Sequence, residues 1–449
     1  MPGPSGKEVA MLNFPEQVKD SLWDDIHKMA EDPSRFVKNP GIDFTRKRKL
    51  DFENLIRFLV SMQSDTTALE LLKFFDYDIN TLSNSAFYQQ RQKLLPSKFC
   101  YLLRQFNSHF SFVLYKGKYN LVGCDGCEFN IARNPDDPDT FHPANGQSAR
   151  GFNSLHTVSL YDLLSKMYLD CVFQPGMKKN EFRAICDLVD RYSYEGVPIF
   201  IADRGFSSYN FFAHAKEKGI FYIVRSKDVN VRRLLKLETL PDNIDTCVEI
   251  ILSRTQSKKK MKRPDLAERY RYVCPNVSFD YIKPGSGDEY PLSLRVVRFE
   301  VANGVFENII TNLPADEFPP CEIKQLYHLR WGIETSFRDL KHTIGTINFH
   351  SKKPEYIEQE IWARLLLFNF CAIITAHVVI VQKDTKHVYQ VNYAMAMKIC
   401  HRFIRLRERD PPLDMEALIG SYTLPIRYDR NSVRKHRFQL PASFCYRFS

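Results

Sequence analysis

The spacing Tyr327-x2-Arg330-x3-Glu334-x6-Lys341 sets one carboxylate among two cations and a tyrosine. Laid on a single α-helix at about 100° per residue, the four side chains fall within a stripe of roughly 60° and look in one direction. Leu326, Leu329, Ile333, Phe337, Leu340 and Ile344 form an apolar stripe about 90° away, which would anchor the helix. Such a polar stripe suits two roles: a salt-bridged surface, or a glutamate that holds a metal ion beside groups that bind phosphate. Two aspartates separate these roles. Asp125 closes Leu121-Val-Gly-Cys-Asp-Gly126, and Asp203 closes the apolar run in Ile199-Phe-Ile-Ala-Asp-Arg-Gly-Phe206. One aspartate at a strand end is commonly a turn former or a helix cap. Two on neighbouring strands, with a third acid on a later helix, converge on an oxygen-rich pocket of the kind Mg²⁺ prefers.

The elements that must position these residues follow from periodicity. Strands are expected over 119–125, 128–132, 156–161 and 166–174, then a helix over 180–192, a wholly apolar strand over 197–202, a helix over 209–218 and a strand over 220–224. A run of strands, then helix, strand, helix, strand is the order of a ribonuclease H-like mixed sheet, so the expected class is α/β. Residues 229–309 alternate polar and apolar and read as a mostly β insertion. Within it, Lys258, Lys259, Lys260, Lys262 and Arg263 form a basic run that suits either a solvated turn or a nucleic-acid contact, the latter being favoured.

Ahead of the sheet, residues 1–115 read as helices, with Ser83 or Ser85 as a cap. A short helix bearing Tyr88, Gln89, Arg91 and Lys93 suits a helix-turn-helix DNA reader, with Arg46-Lys47-Arg48-Lys49 meeting phosphates. A plain helical bundle suits the same pattern. The catalytic core then spans 116–228 plus 310–385, and 386–449 forms a helical, basic C-terminal region. The stretch 361–381 is apolar enough for a membrane span but carries Arg364, Asn369, Thr375 and His377, so a buried core helix is expected.

Composition narrows the partners. The chain has 449 residues, 44% hydrophobic and 26% charged, which excludes wholesale disorder and a fibrous repeat and predicts two to four structural units. A net charge of +10 favours a polyanionic partner. The 11 cysteines form no dense framework, and Cys124-x-x-Cys127 lacks a second pair at zinc-ribbon spacing, so neither disulfides nor a zinc site is expected. The opening segment lacks a basic start followed by an apolar core, and a reducing cytoplasm is the expected compartment.

The tyrosine-arginine-glutamate-lysine spacing, with Asp125-Gly126 and Asp203-Arg204-Gly205, resembles the YREK signature and the first two acidic motifs of cut-and-paste DDE transposases of bacterial insertion sequences. Thr311-Asn312-Leu313-Pro314 and Arg330-Trp331 fit the same resemblance. It implies that Asp125, Asp203 and Glu334 are the catalytic, metal-binding triad for Mg²⁺ or Mn²⁺, as two ions. It also implies that Tyr327, Arg330 and Lys341 contact DNA phosphates. The implied reaction is cleavage at terminal inverted repeats through hairpin ends, then strand transfer into target DNA, by a homodimer contacting itself near Tyr393 to Leu406, in a bacterial cytoplasm at the nucleoid. Some relatives stack a tryptophan of the insertion on a flipped base; here the tryptophans are Trp23, Trp331 and Trp362, leaving Phe306 or Tyr290 as substitutes. A ribonuclease H-like nuclease, or a transposase-derived DNA-binding protein without catalysis, are the alternatives.

Overall fold

The computed structural model describes residues 14–146, 148–255, 268–345, 348–380, 382, 387–407, 409–426 and 445–446. The basic run from Lys258 to Arg263 and the tail cations Arg427, Arg430, Arg434, Lys435 and Arg437 lie outside the described residues.

A mixed sheet of ten strands organises the protein: β1 (Tyr119–Ile131), β2 (Phe141–His142), β3 (Phe152–Asp162), β4 (Met167–Pro175), β5 (Val197–Ala202), β6 (Phe221–Ser226), β7 (Ile244–Ser253), β8 (Tyr270–Tyr272), β9 (Glu289–Ala302) and β10 (Val305–Thr311). The order is β2-β3-β1-β5-β6-β10-β9-β7-β8, with β4 also on β3. β3 lies antiparallel to β1, whereas β1, β5 and β6 run parallel. Strand β5 sends Ile199 and Ile201 into one core and Phe200 and Ala202 into the other, which is why its sequence is a continuous apolar run. The 229–309 segment supplies β7, β8 and β9, which continue this same sheet because β10 pairs with β6.

The sequence splits β1 into two strands around Asp125; the structure has one, since β1 stays paired with β3 from Val122 to Ile131 after β5 has ended. Side chains on a strand alternate faces, so Cys124 and Cys127, three apart, enter opposite cores. That rules out a shared metal or redox role for the pair.

Helices cover both faces. α1 (Phe14–Glu31), α2 (Phe52–Ser61), α3 (Thr67–Phe74), α4 (Asn84–Arg91) and α5 (Phe99–Ser108) precede the sheet; α6 (Glu181–Asp190), α7 (Tyr209–Glu217) and α8 (Asp228–Leu235) lie within its course. After it come α9 (Pro320–Leu329), α10 (Trp331–His342), α11 (Pro354–His377), α12 (Tyr393–Phe403) and α13 (Met415–Ser421). α6 and α7 pack on the Cys124 face and α9 to α11 on the Asp125 face. α11 is apolar all round and buried, as expected of a core helix. Two of its polar residues bond within the core: Arg364 donates to the Met62 and Gln63 carbonyls, and Asn369 bonds Tyr168 and Asn107.

Ser83 caps α4 as expected, but α4 is not free to read a DNA groove. Its Arg91 is wholly buried, donating to Gln359 Oε1 at 2.8 Å, to Glu360 Oε1 at 3.1 Å and to the Tyr356 carbonyl, and Tyr88 donates to the His350 carbonyl. Tyr88 and Arg91 therefore join the N-terminal helices to α11 and its approach, as in the bundle alternative, whereas Gln89 is exposed. Arg405 and Arg407, counted with the basic C-terminal region, likewise pair with Glu70 and Asp76.

Burial alone would raise the Glu360 pKa, but His350 and Arg91 hold the carboxyl well below the usual range. Arg91→Ala strands that carboxylate in the core, and unfolding stability should fall by about 3 kcal/mol or more. Urea denaturation measures this; an unchanged midpoint would show that the pair adds nothing.

Candidate active site

Strands β1 and β5 run in parallel register with Cys124 opposite Ala202, so the next residues, Asp125 and Asp203, stand side by side where β5 ends. Each is fixed by its own turn. Asp125 accepts a bond from the Gly126 amide at 2.8 Å, and Asp203 accepts one from Arg204 at 2.6 Å, opening a short 3₁₀ turn over Arg204–Phe206.

Glu334 approaches from α10. The sequence places Tyr327 to Lys341 on one helix; the structure breaks it at Arg330, whose amide bonds the Tyr327 carbonyl at 3.1 Å while its carbonyl accepts from Ile333 at 3.1 Å. These three-residue bonds advance the chain by about 120° per residue instead of 100°. The apolar stripe therefore slips. Leu326, Ile333, Phe337, Leu340 and Ile344 are buried as expected, but Leu329 is 39% exposed and Trp331 beside it 41%. Tyr327 and Arg330 turn inward and are each only 4% exposed.

The Arg330 guanidinium ties the acids together. Its Nη1 lies 2.8 Å from Glu334 Oε1 and 3.6 Å from Asp125 Oδ2, and its plane sits 4.9 Å from the Trp331 ring. Burial pushes the Asp125 carboxyl up to about 6, with Glu334 and Asp203 adding to the rise and the Gly126 amide and Arg330 opposing it. Asp203 is thus within electrostatic reach of Asp125, and of Tyr327, whose hydroxyl burial pushes up to about 12.

As the side chains stand, no three acidic, histidine or cysteine groups among the described residues meet at one point. Instead a fixed cation, Arg330, lies between two of the acids. The donor set fits a hard divalent cation, since it offers only carboxylate oxygens and already accommodates positive charge. Tyr327 Oη and Arg330 Nε are buried with no hydrogen-bond partner among the described residues, which leaves donors for an anionic ligand.

Lys341 stands apart. Two turns beyond Glu334, its ammonium bonds the Glu128 carbonyl at 2.9 Å over the Phe129 ring, about 10 Å along β1 from Asp125. Of the aromatic substitutes, Tyr290 is buried and bonds Glu217, while Phe306 is half-buried with Arg298 over one face. Two residues beside the acids escape sequence reasoning. His156 on β3 and Glu181 at the start of α6 lie against Gly126, and each looks in sequence like an ordinary strand or helix-start residue.

A mixed sheet whose parallel strands set two aspartates abreast, with a glutamate delivered by a later helix, gives a candidate site built on carboxylates. The chain belongs to the transposase DDE domain family, which its residues 125–370 match, beginning at Asp125 itself. The transposase InsG for insertion sequence element IS4 of Escherichia coli (strain K12) is 37% identical over 89 residues, which are 19% of this chain and 20% of that protein. The match thus spans about a fifth of that relative's length. Among solved structures, a piggyBac transposase synaptic complex with hairpin DNA aligns with a TM-score of 0.44 at 11% identity, covering 93% of this chain and 87% of that one. That likeness is too distant to bear on function.

Proposed function

We propose that this protein is a cut-and-paste DNA transposase of an insertion sequence, with a ribonuclease H-like core, that cleaves DNA at its terminal inverted repeats and joins the freed ends to target DNA. The observation that carries the reading is the pair Asp125 and Asp203, each following the last paired position of parallel strands β1 and β5, with Asp125 linked through Arg330 to Glu334.

Asp125, Asp203 and Glu334 would hold Mg²⁺ or Mn²⁺, as two ions. When bound, such ions activate a water or a DNA 3′ hydroxyl and stabilise the leaving oxygen. The protein's own share is positioning: the three carboxylates fix the site, and the buried Tyr327 hydroxyl and Arg330 guanidinium supply donors for the phosphate next to the scissile bond. No side chain becomes covalently attached to DNA. The freed 3′ hydroxyl then attacks the opposite strand to form a hairpin, which is reopened before joining.

Two chains act together to hold two ends. The α12 helix turns Ala396, Met397, Cys400 and Phe403 into the core it shares with α11, so the contact between copies lies away from that apolar face. Arg46, Lys47 and Arg48 are exposed and join the duplex-facing surface, and the protein acts in the cytoplasm at the nucleoid. Mg²⁺-dependent strand transfer from a plasmid carrying the matching terminal repeats tests the whole reading; intact plasmid at every metal concentration would refute it.

Lys341 gives a narrower test. The Lys341 ammonium, which bonds the Glu128 carbonyl and the Cys127 thiol, can reach a phosphate as a third partner, and Lys341→Ala should weaken end binding and reduce the slope of log affinity against log salt by about one. An unreduced slope would mark Lys341 as a brace for β1 only.

A further inference from the structure

The two acidic motifs each carry a glycine, Gly126 after Asp125 and Gly205 two residues after Asp203, and one side chain lies against both. A Cβ added at Gly126 would stand 2.7 Å from Glu181 Oε1 and 2.9 Å from His156 Cε1. At Gly205 it would stand 3.4 Å from Glu181 Oε2. The two oxygens of one carboxylate therefore face the two glycines, one on strand β1 and one in the turn after β5. Glu181 in turn lies against His156, 4% exposed on β3, with Nε2 3.1 Å from Oε1. Its backbone is fixed as well, because Asn180 caps α6.

Neighbouring residues on a strand point to opposite faces, so the Gly126 position looks away from Asp125. Glu181 and His156 thus sit behind the carboxylate site, on the α6 side of the sheet, where they cannot touch an ion held by Asp125 and Asp203. What they can set is where the turn after Asp203 stands relative to strand β1 at Asp125. β5 has ended by Asp203, so no ladder bond fixes that spacing beyond Ala202.

We propose that His156 and Glu181 are positioning residues: a brace behind the sheet that sets the separation of Asp125 and Asp203 and so the metal affinity of the site. The inference rests on the reading of these aspartates as metal ligands. Groups that orient metal ligands from behind commonly matter by about 10- to 100-fold in affinity.

The test uses the full chain and Mn²⁺, with binding followed by electron paramagnetic resonance and, in parallel, cleavage against Mn²⁺ concentration. Glu181→Ala should weaken Mn²⁺ binding by about tenfold and raise the Mn²⁺ needed for half-maximal cleavage by the same factor. Cleavage at saturating Mn²⁺, and end binding in EDTA, should stay near wild type. Glu181→Gln keeps the shape and a partner for His156, and should restore most of the affinity. Gly126→Ala, which drives a methyl into the brace, should also weaken Mn²⁺ binding, and by less in the Glu181→Ala background, where one of its two clashes is gone. Unchanged Mn²⁺ affinity in a folded Glu181→Ala protein, or a cleavage defect that no Mn²⁺ concentration repairs, overturns the brace. Asp203→Ala separates the underlying reading: if wild type and Asp203→Ala bind Mn²⁺ equally, the aspartates are not ligands and the brace falls with them.

Discussion

Alanine at Asp125, Asp203 or Glu334, one at a time, should abolish strand cleavage while leaving binding to terminal repeats within a few fold of wild type. The separation follows from what each carboxylate touches. Asp125 and Asp203 bond the amides of their own turns, and Asp125 and Glu334 face Arg330; all three carry negative charge, which repels phosphate. Removing one takes away a metal ligand and no contact to DNA, so the loss falls on chemistry and is expected to reach about a thousandfold or more. Cleavage assays with labelled repeats in Mg²⁺, beside gel shifts in EDTA, read the two effects separately. Near-normal cleavage by any one variant would remove that residue from the site.

The side chains of this site were legible in sequence because each must be of one chemical type. Their backbone settings were not. Gly126 and Cys127 after Asp125 looked like the end of a strand, yet β1 runs on because β3 keeps pairing with it after β5 stops. Such pairing depends on residues some thirty positions away, and no local window contains them. The break at Arg330 is hidden for a similar reason: nothing in Leu329-Arg330-Trp331 disfavours an α-helix, and the tight turn goes with the burial of Arg330 against two acids, one of them far away in sequence. The two readings of α4, DNA reader and bundle helix, stay open in sequence for the same reason. Tyr88 and Arg91 have the residue types of a groove reader, but their partners His350 and Glu360 lie more than 250 positions along the chain. A buried arginine and a DNA-reading arginine are indistinguishable until the partner is known. The insertion fared better, since alternation on β7 and β9 is local, although alternation says nothing of which sheet the strands join.

Arg330 should show the second large effect, because it serves the site in two states. Without DNA it neutralises Asp125 and Glu334 from a buried position, with Nε unbonded among the described residues. A phosphate arriving beside the acids would find that nitrogen ready, in a planar group suited to two-point contact. Arg330→Ala should therefore weaken assembly on DNA ends by about 30-fold or more, the usual scale for truncating one member of a buried charge pair, and lower the salt slope by about one. It should also make the DNA-free protein less stable in EDTA than in Mg²⁺, since the two acids would then face each other without a cation. Arg330→Lys should recover little of the assembly, because an ammonium cannot bridge two carboxylates and still present a fork to phosphate. Gel shifts across a salt series and thermal melts with and without Mg²⁺ measure both arms. End complexes of normal affinity and unaltered salt slope would leave Arg330 as an internal ion-pair partner alone, and would move the phosphate contact to Tyr327 or Lys341.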